Sequence, residues 1–147
     1  MEDQQMLPVS KSKEKRPTLL TVLCILTFIA SGLNAFFNFF FFIFYDACMK
    51  VLAEMVKAFK LPGMELFLSA KPEYFAVTAV INALAVAGAL RMWQLRKQGF
   101  HIYTVSQILL ILAPTYFFKL PIADTFFSII IGGIFVLLYG SNLKNMV

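Results

Sequence analysis

Nearly all the charge of the 147-residue chain lies in short segments between four long apolar runs, at residues 18–45, 75–90, 102–118 and 125–140. At about 1.5 Å of rise per helical residue, runs of 16 to 28 residues reach about 24 to 42 Å. The hydrocarbon core of a bilayer is about 30 Å thick, so this pattern predicts four membrane-spanning helices. When interfacial flanks are added to the shorter runs, the predicted spans are about 18–45, 74–95, 101–118 and 124–140.

The segment between the first two spans, residues 46–73, is too long for a simple turn. Within it, apolar residues recur at helical spacing with charged residues between them, which predicts an amphipathic helix. The apolar positions are Cys48, Val51, Leu52, Met55, Val56 and Phe59. We expect this helix to end at Leu61-Pro62-Gly63 and to lie in the membrane interface, either as a cap over the helix ends or as a site for a ligand or partner. The predicted fold class is an all-α membrane protein, a four-transmembrane-helix bundle with an extra amphipathic interfacial helix between helices 1 and 2.

Residues 1–17 have the composition of a flexible cytoplasmic tail, polar at first and then basic, and residues 18–147 form one four-span domain. Pro17 suits the first turn of the first helix. A basic stretch before an apolar run also occurs in signal peptides, but their apolar core has about 7–15 residues. The run at 18–45 has 28 residues, so we expect it to be a retained span.

Composition and charge agree with a membrane protein and indicate its orientation. Hydrophobic residues make up 60% of the chain, above the usual apolar content of soluble domains. Eight Lys and Arg residues precede helix 1, separate helices 2 and 3 or follow helix 4, whereas the other side holds five, balanced by five acidic residues. Because Lys and Arg in short loops stay on the cytoplasmic side, we place both termini in the cytoplasm. The basic residues are dispersed over three short segments, so the net charge of +5 predicts no nucleic-acid partner.

Polar side chains within the spans are the candidate functional residues, because hydrocarbon makes such groups costly unless they face protein or water. In helix 1 they are spaced i, i+4, i+7 and i+11, which places them on one face. The candidates are Thr27, Ser31, Asn34 and Asn38 in helix 1, Thr78 and Asn82 in helix 2, and Ser106 and Gln107 in helix 3. Two interpretations remain open: hydrogen bonding between packed helices, or a polar path for a solute lined by Asn34, Asn38 and Asn82.

The residue types that are missing from the spans argue against several classes of function. None of the four runs contains Asp, Glu, Lys or His, and an amide cannot cycle a proton at physiological pH. Small multidrug transporters depend on an embedded glutamate and tetraspanins carry a Cys-Cys-Gly motif, and this chain has neither. Its single histidine, His101, has no evident nucleophile or ligand set beside it in the sequence pattern. We therefore predict no catalytic residue, no metal and no cofactor.

The function predicted from these features is that of a structural or interaction subunit without catalysis. Its partners would be the lipid bilayer and either further copies of itself or another membrane protein. The alternative is a small transporter or channel component that uses the polar path.

Two segments carry a resemblance to a known class of proteins. They are KRPTLLTVLCILTFI at 15–29 and GALRMWQLRKQGF at 88–100. Both resemble segments of small uncharacterised four-span bacterial membrane proteins. The resemblance covers the start of helix 1 and the turn between helices 2 and 3, and it implies a multi-pass protein of the bacterial inner membrane. It implies no catalytic or binding residue.

Overall fold

The structure, a computed structural model, describes residues 16–60, 62–119 and 122–147, with the backbone alone at 122–124. Residues 1–15 of the predicted tail, and Leu61 at the predicted end of the amphipathic helix, lie outside this description. Within the described residues there are six α-helices and a 3₁₀ turn at Leu143–Asn145. The helices are α1 (Thr18–Ile43), α2 (Tyr45–Phe59), α3 (Glu65–Leu68), α4 (Pro72–Trp93), α5 (Gln98–Phe118) and α6 (Ile122–Ser141).

Four helices in the described part of the chain are long and apolar enough to cross a membrane. They are α1, α4, α5 and the stretch Thr125–Asn145, which contains most of α6. This confirms the prediction of a helical chain with four candidate spans. The segment predicted to be amphipathic is also helical, as α2.

The ends of these helices follow from local chemistry. Pro17 precedes α1, and its carbonyl accepts a hydrogen bond from the Thr21 amide at 3.1 Å. The first span was predicted to run to 45, but α1 ends at Ile43 because Phe44 leaves the helical conformation before α2 begins. Lys60 ends α2 in the left-handed conformation, and Pro72 opens α4 at a position where its missing amide is tolerated.

The helix α4 is the centre of the packing. It lies along α1 on one side and α5 on the other, while α6 packs on α5 and touches α1 over a much shorter stretch. We call the end where α1 and α5 begin and α4 and α6 finish the Tyr139 end, and the opposite end the α2 end. The buried cluster at the Tyr139 end consists of Leu20, Leu23, Cys24, Ala85, Ala89, Met92, Tyr103, Tyr139 and Met146. The cluster nearer the α2 end consists of Ala70, Tyr74, Phe75, Ile81 and Ala113.

The backbones of α4 and α5 meet at a pair of glycines. A β-carbon placed on Gly88 would lie 2.8 Å from the Tyr103 amide nitrogen, and one placed on Gly99 would lie 2.6 Å from the Met92 amide nitrogen. Neither position has room for a side chain. Close approach of this kind at small residues is typical of membrane helices.

The last residues of the chain pack against the α4–α5 loop. The Val147 amide donates to the Leu95 carbonyl at 2.7 Å, and the Lys97 amide donates to the Val147 carbonyl at 3.1 Å. Met146 is buried beside them. The loop and the segment after α6 are therefore fixed to each other at the Tyr139 end.

Charge is distributed unequally between the two ends. At the Tyr139 end, the Arg16 guanidinium lies 4.7 Å from the centre of the Trp93 ring, and Arg91 donates to the Gln98 side chain at 3.1 Å. The acidic residues whose side chains the structure describes all lie toward the α2 end, namely Asp46, Glu54, Glu65 and Glu73. Among the residues whose side chains the structure describes, the Tyr139 end therefore carries cations and no Asp or Glu.

Candidate functional site

A buried polar contact joins the first and last long helices at the Tyr139 end. The hydroxyls of Thr27 and Tyr139 lie 2.8 Å apart, and both residues are almost fully buried. The Tyr103 ring meets the Tyr139 ring edge to face, with centroids 4.8 Å apart. Beside them, the Cys24 thiol donates to the Ala89 carbonyl at 3.6 Å. These contacts bring α1, α4, α5 and α6 together at one level.

The predicted polar residues of α4 and α5 bond within their own helices. Thr78 donates to the Tyr74 carbonyl at 2.7 Å and Asn82 donates to the Thr78 carbonyl at 2.9 Å. Ser106 donates to the Ile102 carbonyl at 2.8 Å. All three donors are buried in the packed interior, so each obtains a partner without reaching across to another helix.

Gln107, the last of the candidates, lies where α6 rests on α5. It is half-buried, and its side-chain oxygen lies 3.4 Å from the place a β-carbon on Gly132 would occupy. Further along, the Thr115 and Thr125 hydroxyls are 3.4 Å apart. The contact between α5 and α6 therefore continues toward the α2 end through small and polar residues.

The polar face predicted on helix 1 has two halves with different surroundings. Thr27 and Ser31 are buried, at 3% and 8% exposure. Asn34 is exposed and Asn38 is half-buried, although helical spacing places them on the same face. The reason is that α6 covers this face at Tyr139 and then follows α5 instead of α1. The described part of the cluster nearer the α2 end accordingly contains no residue of α6.

The two amides of this uncovered half bond to their own helix. Asn34 donates to the Ala30 carbonyl at 2.8 Å, and Asn38 donates to the Asn34 carbonyl at 2.7 Å. A side-chain amide has two donors and an acceptor oxygen. Among the described residues, nothing donates to the Asn34 side-chain oxygen, and its second N–H is also open. Asn34 therefore presents hydrogen-bonding capacity to its surroundings, and it shares no hydrogen bond with Asn82 in the described structure.

Two apolar grooves adjoin the uncovered half of α1. The larger, about 460 Å³, lies between α1 and α2, and its lining is Phe37, Phe40, Phe41, Phe44, Ala47, Cys48, Val51, Leu52 and Met55. The smaller, about 210 Å³, is lined by Asn38 together with Phe37, Phe41, Leu52, Met64, Phe67 and Phe75. The phenylalanines at 37, 40, 41 and 44 have the spacing of one helical face, so the sequence itself contains a signal for an aromatic groove wall.

Tyr139 is the residue of this region that the sequence analysis missed. It lies in the last apolar run, so its ring fits the lipid-compatible pattern, but a buried tyrosine hydroxyl requires a hydrogen-bond partner. The sequence could therefore have indicated that Tyr139 needs a hydrogen-bond partner. It could not have identified Thr27 as that partner, because the two residues are far apart in the chain and meet only through packing of the helices.

No group of three or more His, Cys, Asp or Glu side chains within the described ranges could hold a metal ion. Cys24 is buried and Cys48 half-buried, and both are free thiols. Comparisons with protein families, with curated proteins and with solved structures found no match.

Proposed function

We propose that the protein is a multi-pass membrane protein that associates laterally, within the membrane, with another membrane protein through α1 and carries out no catalysis itself. The observation that supports this proposal is Asn34, which lies on the face that buries Thr27 and Ser31 and yet is exposed. Asn34 lies about 24 Å along α1 from Thr18, which is within the hydrocarbon if the helix spans it. Lipid tails offer no hydrogen bonds, so a partner helix that supplies them is favoured there.

The proposed arrangement is a four-helix bundle in the bacterial inner membrane with both termini in the cytoplasm. The sequence supports this orientation, because eight Lys and Arg residues belong to the segments on the side of the Tyr139 end and five to the other side, and such residues in short loops favour the cytoplasm. The resemblance of 15–29 and 88–100 to four-span bacterial proteins supports the location.

In this arrangement α2 lies in the outer interface. Its apolar residues Val51, Met55 and Phe59 are 57%, 45% and 69% exposed, so the described part of the chain leaves them uncovered. An amphipathic helix with an open apolar face and lysines on its other side is suited to the boundary between acyl chains and headgroups. Placed there, α2 holds the grooves beside α1 at the edge of the bilayer.

The proposal can be tested with a photoreactive phenylalanine in α1. Phe37 lies three residues after Asn34 on the same side of the helix, and Phe39 lies on a different side, yet the two are similarly exposed at 54% and 57%. We expect irradiation of native membranes to yield a protein adduct from position 37 and little from position 39.

Adducts with lipid alone from both positions would contradict the proposal. A solute path along Asn34, Asn38 and Asn82 makes a different prediction. Asn34→Leu would then abolish uptake of a solute and leave the adducts from position 37 unchanged.

A further inference from the structure

The identity of the partner that covers α1 can be specified further, and this step rests on the proposed lateral association. On the open side of the helix, Ala30, Asn34 and Phe37 are spaced by four and then three residues, as in the contact seam of two supercoiled helices. This exposed set ends before Phe41, which is half-buried and stacks on Phe75 of α4. Ala30 is exposed and small, so a second backbone can approach closely at that level. Asn34 is the one polar member of this otherwise apolar set.

A single asparagine in an apolar seam is known to fix the register and number of paired helices. Its amide is both donor and acceptor, so it complements another amide. Copies of one membrane protein insert with the same orientation and place Asn34 at the same depth. A two-fold axis along the membrane normal then brings each Asn34 opposite its equivalent.

We infer that a second copy of this chain covers the open face of α1, as a parallel pair in which the two Asn34 side chains hydrogen-bond to each other. The side-chain oxygen of one copy accepts from the N–H of the other that is not bonded to Ala30. No charged residue lies within 18–45, so no ionic partner is required. Lipid as the occupant would leave both groups unpaired.

The test uses disulfide formation between copies of the full chain in lipid vesicles. Cys48→Ser removes the more accessible native thiol, and Cys24 is fully buried. In that background we expect Ala30→Cys to give a cross-linked dimer on mild oxidation, and Val80→Cys, on an exposed position of α4, to give none. Equal yields from both positions would overturn the inference.

The role of the amide is tested by adding Asn34→Leu to Ala30→Cys. Loss of an interhelical hydrogen bond should lower the dimer yield at least about threefold at limiting protein density in the vesicle. Phe36→Leu, on another exposed side of α1, should leave the yield unchanged. An unchanged yield with Asn34→Leu would contradict the inference. Sedimentation of the native chain over the same range of protein densities is a second check, and a species with the mass of one chain alone would also contradict the inference.

The photoreactive probe at Phe37 separates this inference from the proposed function. An adduct at twice the mass of the chain supports a second copy. An adduct with a different protein overturns the inference that the partner is a second copy, but it agrees with the proposed lateral association through α1. Absence of any protein adduct overturns both.

Discussion

At the scale of single residues, Gly99 sets how closely α4 and α5 approach. A β-carbon there would lie 2.5 Å from the Gly88 carbonyl oxygen and 2.6 Å from the Met92 amide nitrogen, both backbone atoms. We expect Gly99→Ala to lower the free energy of unfolding by about 1–3 kcal/mol, because the two helices must move apart. Thermal unfolding of the solubilised protein measures the loss. Gly133→Ala is the matched control, since nothing lies within 4 Å of a β-carbon at that position.

The hydroxyl pair of Thr27 and Tyr139 gives a second prediction at this scale. Tyr139→Phe removes the bond of 2.8 Å and keeps the ring packed on Tyr103. We expect a loss of about 0.6–1.7 kcal/mol, as measured for other hydrogen bonds between membrane helices. Combining it with Thr27→Val in a double-mutant cycle isolates the pair. Additive losses would show that the two hydroxyls do not interact, and Tyr116→Phe, at 80% exposure, should have no effect.

At the scale of elements, the apolar pattern of the sequence was sufficient to predict that the four long segments and α2 are helical. Length and hydrophobicity decide whether a helix can span, and both are local properties of the chain. The burial of Thr27 and the exposure of Asn34 were not predictable, because the helical period places them on one face. What separates them is the path of α6, which depends on its contact with α5 at Gly132 and Thr125.

The position of α2 gives a prediction for that element. Leu52 lines both grooves beside α1, and Met55 lines the larger one. Leu52→Glu with Met55→Glu should remove amide protection across Tyr45–Phe59, because a helix of this length is marginal in water without an apolar contact. Hydrogen exchange in nanodiscs measures it. Lys50→Glu with Lys57→Glu, on the polar side, should retain protection, and rapid exchange in the native chain would show that α2 has no such contact.

At the scale of the whole molecule, the orientation in the membrane stays a prediction from the count of Lys and Arg in the sequence. The structure places the Arg16 guanidinium over the Trp93 ring, so the basic residue that precedes α1 lies at the same end as the basic α4–α5 segment. The sequence alone gives the number of basic residues in each loop. It cannot show that the segment after α6 also packs on that loop, through Val147 and Leu95.

The last prediction concerns which end of the molecule faces the cytoplasm. In a background of Cys24→Ala and Cys48→Ala, a membrane-impermeant maleimide applied to intact cells should label Lys60→Cys, which follows α2, and should not label Gln98→Cys, in the α4–α5 turn. After the membrane is broken, both should react, because Lys60 and Gln98 are both exposed. The reason is that moving Arg96 and Lys97 outward across the membrane is unfavourable, whereas the segment around α2 carries balanced charge. Labelling of Gln98→Cys alone in intact cells would reverse the orientation and place Asn34 nearer the cytoplasmic side of the bilayer.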